Sequence, residues 1–94
     1  MDAFVYILAS KKNGTLYIGV TNNIGRRVYE HKEWWNEWFT KKYDIKKLVY
    51  CEKHGSIIDA IRREKQMKKW YRKRKIELIE KYNPEWKNLY YDVW

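Results

Sequence analysis

One cysteine, one proline and four glycines are all that this 94-residue chain holds of the residues that most constrain or loosen a backbone. With Cys51 alone, neither an intrachain disulfide nor a cysteine-based zinc site can form, and a reducing, cytoplasmic setting is expected. So little proline and glycine beside 45% hydrophobic and 18% aromatic residues excludes a disordered or low-complexity chain. No apolar run approaches the roughly 20 residues of a membrane span. The segment after Met1-Asp2-Ala3 is too short and wrongly flanked for a signal peptide, so a protein neither exported nor embedded is expected. Acids are scarce as well: 12 Asp and Glu face 21 Lys and Arg, a formal net charge of +9. That imbalance points to a polyanionic partner, nucleic acid ahead of an anionic membrane surface. A chain of this length has room for one domain, residues 1–94, with one core and one site.

What is present has a clear order. Two short apolar runs, residues 4–8 and 15–20, bracket Ser10-Lys11-Lys12-Asn13-Gly14, and Asn-Gly between β-prone runs predicts a hairpin. Tyr6 and Tyr17 are thereby expected on neighbouring antiparallel strands. Thr21-Asn22-Asn23 supplies capping side chains for a helix over 24–35, on which Arg27 stands one turn before His31. The stretch from Trp34 to Phe39 has no clean period and reads as a helix end passing into a loop. A third strand is predicted from Lys46 to Glu52, ending at His54-Gly55. Ser56 caps a helix from Ile57 to about Tyr71, and a last helix runs from Lys73 to Tyr82, stopped by Asn83-Pro84. The fold class is α+β, a small three-stranded antiparallel sheet covered by helices in the order β-β-α-β-α-α.

Glu64 is out of place. At about 100° per residue, Ile57, Ala60, Ile61, Met67 and Tyr71 cluster on one side of their helix, and Glu64 falls within that apolar stripe. A buried carboxylate must be ion-paired, hydrogen-bonded, protonated or bound to a metal. Around it Arg62, Arg63, Lys65, Lys68, Lys69, Arg72, Lys73, Arg74 and Lys75 crowd together with no other acid among them. Like charges at i,i+3 and i,i+4 repel, a cost best explained by contacts to phosphates that release condensed counterions. Lys41, Lys42, Lys46 and Lys47 extend this surface. Trp34, Trp35 and Trp38 are suited either to stacking on unpaired bases or to covering the core. His54 precedes a glycine in a turn and has no assigned role.

These residues together resemble the GIY-YIG nuclease superfamily, in particular its small stand-alone members, which are similar to the N-terminal domain of a DNA-repair excinuclease. Phe4-Val5-Tyr6 stands at the first motif, Tyr17-Ile18-Gly19 matches the second, Arg27 and His31 match the helix signature, Glu64 matches the metal-binding acid, and Asn83 lies near a late asparagine. Phe4 replaces the glycine of the first motif, and Thr21 follows Val20 where some relatives carry a lysine. The resemblance implies an endonuclease dependent on Mg²⁺ or Mn²⁺, acting on DNA rather than RNA, and a connection to DNA repair. On that basis Tyr6 is the candidate base for water and His31 takes up its proton. Arg27 neutralises the non-bridging oxygens, Tyr17 holds the phosphate, and Glu64 holds the metal. Bringing a tyrosine from its ordinary pKa near 10 to about 7 needs about 4 kcal/mol of differential stabilisation of the phenolate, much of which Arg27 and the cation are expected to supply. One carboxylate suits Mg²⁺, which keeps several waters and completes its shell with substrate phosphate.

Two other functions compete with a nuclease. One is a non-catalytic basic nucleic-acid-binding module with a vestigial site. The other is a partner protein that uses its tryptophans as an interface. With no room for a recognition domain, cleavage is expected to be structure-selective or directed by a protein partner, and the protein to be a monomer or weak dimer.

Overall fold

The computed structural model describes residues 2–26 and 47–92 of the chain. Three strands, β1 (Ala3–Ala9), β2 (Leu16–Thr21) and β3 (Lys47–His54), form an antiparallel sheet in the order β2-β1-β3. The central β1 is buried along all its length except Phe4, which explains why it reads as a continuous apolar run rather than an alternating one. The predicted hairpin forms, with Ala9 opposite Leu16. Its turn closes through the Gly14 amide on the Lys11 carbonyl at 2.9 Å, and Asn13, at φ 60°, takes the left-handed conformation that asparagine tolerates. Between β1 and β3 the register slips by one residue at Ile7/Leu8, so that Tyr50 faces Ile7 and Leu48 faces Leu8. The extra residue, Val49, lets two consecutive side chains, Leu48 and Val49, both be buried.

Each face of the sheet is covered. On one face Val5, Ile7 and Ala9 of β1 pack with Ala60 and Met67 of α1 (Ile57–Lys68), Ile79 of α2 (Arg72–Tyr82) and Trp86. On the other, Tyr6 and Leu8 pack with Ile24, Leu48 and Tyr90, and Tyr17 lies against them. The order of the three strands and of the two helices after β3, and the antiparallel sheet they cover, are as the sequence predicts; the predicted helix over 24–35 lies outside the described residues beyond residue 26. Residues 24–26 are helical from the expected start, where the Asn23 side-chain oxygen accepts from the Arg26 amide at 3.1 Å. Arg27, His31, Lys41, Lys42, Lys46 and the three tryptophans Trp34, Trp35 and Trp38 lie outside the described residues.

α1 begins as expected, with the Ser56 hydroxyl accepting from the Asp59 amide at 3.2 Å. Its end is a correction. The helix stops at Lys68 rather than near Tyr71, closing through the Lys69 and Trp70 amides onto the Gln66 and Met67 carbonyls, and Tyr71 is extended as the first residue of the turn into α2. No glycine or proline marks this corner. An unbroken helix over 57–82 would be about 39 Å long, against a greatest extent of 31 Å for the molecule. The corner is what folds Ile79 back onto the core that Met67 occupies. The apolar stripe predicted for α1 is also narrower than expected: Ala60 and Met67 are buried, whereas Ile57 is 43% and Tyr71 89% exposed.

Past α2 the chain carries no periodic signal, yet it is well held. The buried Asn83 donates its amide to the Val49 and Lys87 carbonyls at 3.0 and 2.9 Å and accepts from the Lys87 amide at 3.0 Å. Asn88 accepts from the Leu48 amide at 3.2 Å. These two side chains satisfy part of the outer edge of β3, which would otherwise present unpaired backbone groups. Trp86, at φ 55°, turns its ring into the core and donates to Glu80 at 2.8 Å. A short 3-10 helix, Leu89–Asp92, then carries Tyr90 round to the other face. Among the described residues no helix is long and apolar enough to cross a membrane.

Candidate active site

Alternation along the hairpin decides which side chains meet. In the β1–β2 register Tyr6 stands opposite Gly19 and Leu8 opposite Tyr17, so both tyrosines leave the same face of the sheet as diagonal neighbours. Their ring centroids are 6.3 Å apart and the planes tilted by 35°. Tyr6 is the floor of this pair, 2% exposed, while Tyr17 is half-buried at its rim. The glycine of Tyr17-Ile18-Gly19 is what lets the floor form. A β-carbon at position 19 would lie 2.4 Å from the Tyr6 hydroxyl oxygen and 2.5 Å from Cζ, so the phenol occupies the space a side chain would fill. Ile24, the first of the helical residues 24–26, packs against the same pair.

Glu64 comes from the other side. It is turned inward as its position on the stripe predicts, with the side chain 14% exposed, and its Oε1 receives the Lys68 ammonium at 3.2 Å. Among the described residues, this ion pair is what meets the carboxylate. α1 packs on the face opposite the tyrosines. Arg63 reaches Glu52 on β3, and the buried Ala60 and Met67 fall between Arg63 and Glu64 round the helix, so helical geometry puts Glu64 on the flank of the buried stripe away from β3, toward β2. The structure thus brings Tyr6 and Tyr17 together on one face and places Glu64 on the β2 side of the helix that covers the other.

The predicted phosphate-contacting cations divide into two kinds. Arg62, Lys65, Lys68 and Lys69 are exposed on α1 and its end, Lys68 with its ammonium on Glu64. Arg63 and Arg72 are committed within the fold: Arg72 donates to the Asn13 and Gly14 carbonyls at 2.6 and 2.5 Å, pinning the start of α2 to the hairpin turn.

Arg63 belongs to a cluster that no motif announced. Tyr50, Glu52 and His54 alternate along β3 and so share one face. The Glu52 carboxylate accepts from the Tyr50 hydroxyl at 2.6 Å, meets His54 Nε2 at 2.5 Å and accepts from Arg63 Nε at 3.0 Å. Burial opposes ionisation of Glu52, but the hydrogen bonds from Tyr50, His54 and Arg63 together outweigh it and hold its pKa below the ordinary carboxylate value. Burial, and then the bond to this anion, push the Tyr50 phenol upward. Burial likewise raises the Cys51 thiol to about 11. The period-2 spacing of Tyr50, Glu52 and His54 was the available signal, and it was obscured because the predicted strand ended at Glu52. With every Glu52 oxygen occupied, the cluster fastens α1 to β3.

Comparison with known proteins agrees with the motif order. Residues 2–84 match the GIY-YIG catalytic domain. A UPF0213 protein of Syntrophus aciditrophicus is 41% identical over 83 residues, covering 87% of this chain and 93% of that protein. A UPF0213 protein of Staphylococcus haemolyticus is 36% identical over 82% of this chain and 93% of its own length. The solution structure of the UPF0213 protein BH0048 from Bacillus halodurans superposes with a TM-score of 0.58 at 28% identity, covering 94% of this chain and 93% of that one. By its domain match and its relatives alike, the chain belongs to the GIY-YIG family of nuclease domains.

Proposed function

We propose that this protein is a divalent-metal-dependent endonuclease that hydrolyses DNA phosphodiester bonds, selecting its target by shape or through a protein partner. The observation that carries the proposal is the Tyr6–Tyr17 pair closed over Gly19, in a chain whose residues 2–84 match a catalytic domain. Tyr6 accepts a proton from the attacking water and His31 relays it. Arg27 neutralises the non-bridging oxygens, and Tyr17, at the rim of the pair, donates a hydrogen bond to the phosphate.

Glu64 lies across the sheet from Tyr6, on the β2 side of α1, and is the residue to hold Mg²⁺ or Mn²⁺; the phosphate it serves is one passing the β2 edge beside Tyr17. Among the described residues no group of three or more His, Cys, Asp and Glu gathers as a closed cage. A single inward carboxylate fits a hard cation that keeps most of its water, and its partner in the structure, the Lys68 ammonium at 3.2 Å, is on a side chain 56% exposed. When bound, such an ion supplies Lewis-acid stabilisation of the departing oxygen.

A nicking assay on linear, flapped and branched DNA tests this. Mg²⁺-dependent cleavage by the wild type, abolished by Glu64→Ala and by Arg27→Ala in protein that still folds, is the expected result; undiminished cleavage by both variants assigns the activity to something else. One observation favours a second reading, a non-catalytic binding module: Tyr6 is 2% exposed, little access for a water-activating base. Salt-sensitive binding with no cleavage of any of these substrates in Mg²⁺ or Mn²⁺ would establish that reading instead.

A further inference from the structure

Where α1 turns into α2, on the helix-covered side of the sheet, lies a cleft of about 290 Å³ lined by Arg63, Trp70, Arg74, Glu77, Leu78 and Lys81. Its centre is an indole holding two guanidinium groups, with Arg63 Cζ 5.0 Å and Arg74 Cζ 4.0 Å from the Trp70 ring centroid. A guanidinium held over an aromatic ring keeps the N–H groups of its edge available, in a planar array that matches phosphate oxygens. Arg63 spends only its Nε on Glu52. Arg74 is exposed and has no carboxylate partner among the described residues, and Lys81 adds a third cation at the same cleft. Among the described residues Glu77 is the one acid lining it.

We propose that this cleft binds backbone phosphates of a second segment of the nucleic acid whose first segment lies on the tyrosine face. The inference rests on the nucleic-acid reading above and names its substrate class. Arg63 reaches Glu52, which pairs in register with Val5, so the cleft lies beyond the sheet from Tyr6 and Tyr17. Arg63 flanks α1 on the β3 side and Glu64 on the β2 side, so a straight duplex passing Tyr17 and Glu64 along the β2 edge of a molecule 31 × 29 × 24 Å across does not reach the cleft. A branched or sharply bent substrate does.

The test is the salt dependence of binding to a fluorescent three-way DNA junction and to a linear duplex, both in EDTA so that neither is cut. Arg74→Gln/Lys81→Gln is compared with Lys11→Gln/Lys12→Gln, which removes two exposed charges from the hairpin. With each phosphate contact contributing about 0.9 to the slope of log K against log salt, the first pair lowers the junction slope by about 1 to 2 and leaves the duplex slope unchanged. Unchanged slopes on both substrates, an equal fall on both, or an equal fall with the hairpin pair would overturn the cleft as a second-arm site while the nuclease reading stands. Wild-type protein that binds neither substrate at low salt overturns both.

Discussion

Replacing Gly19 with alanine tests the link between fold and site most directly. The added carbon would sit 2.4 Å from the Tyr6 hydroxyl oxygen, where ordinary contact begins at 3.4 Å, so the phenol must retreat by about 1 Å. It has nowhere easy to go, because Tyr6 is 2% exposed and packed among Leu8, Ile24, Leu48 and Tyr90. Overpacking of this kind costs about 1–3 kcal/mol. For a domain of this size each kcal/mol lowers the melting temperature by about 4–8 °C, and thermal unfolding followed by circular dichroism resolves that readily. On the proposed nuclease reading, a Tyr6 hydroxyl displaced by about 1 Å lowers the single-turnover cleavage rate on the order of 100-fold. Tyr6→Phe gives little relief, since Cζ would remain 2.5 Å away. Tyr6→Ala removes the clash, so the two changes are strongly non-additive in a double-mutant cycle, with a coupling of about 1–3 kcal/mol. A Gly19→Ala protein melting within about 2 °C of the wild type, or a cycle that closes additively, would refute the close approach.

Two further expectations come from β3. The Glu52 carboxylate is held below its ordinary pKa of 4.5, so its stabilising contribution is complete above that value and lost as pH falls through the folded-state pKa. Between pH 5 and pH 3 the melting temperature of Glu52→Gln therefore falls less steeply than that of the wild type, and parallel curves would count against the network. The Cys51 thiol, raised from 9.0 to about 11, keeps its proton in the folded state, so its contribution is complete below pH 9 and lost as pH rises toward 11. At pH 8 its thiolate fraction is about 100-fold below that of the unfolded chain. A disulfide reagent reacts correspondingly more slowly with native protein than in denaturant; equal rates would show the thiol to be unshifted.

Local signals in this chain are strong where structure depends on near neighbours. Asn13-Gly14 between two apolar runs specified the hairpin, Ser56 the start of α1, and Asn83-Pro84 the end of α2, because turns and caps are satisfied within a few residues. The corner at Trp70-Tyr71 carries no such mark. It exists because a helix must turn to stay over a small sheet, a demand made by the size of the whole molecule. The anchoring of Asn83 and Asn88 to β3 spans 34 and 40 residues and leaves no pattern in the chain.

The candidate site divides in the same way. Period-2 alternation was enough to put Tyr6 and Tyr17 on one face, and helical period enough to turn Glu64 inward. Which side of the sheet each helix covers depends on how the elements pack. Packing placed Glu64 on the helix opposite the tyrosines, drew Arg63 to Glu52 and Arg72 to the hairpin turn, and gathered Arg74 and Lys81 at a cleft round Trp70. The sequence by itself determined the family, the order of the described strands and helices, and the direction in which Tyr6, Tyr17 and Glu64 leave their own strand or helix. Only the tertiary structure decided which of the many cations are tied into the fold and which remain free, because that depends on what lies opposite each charge across the packed faces, not on its neighbours along the chain.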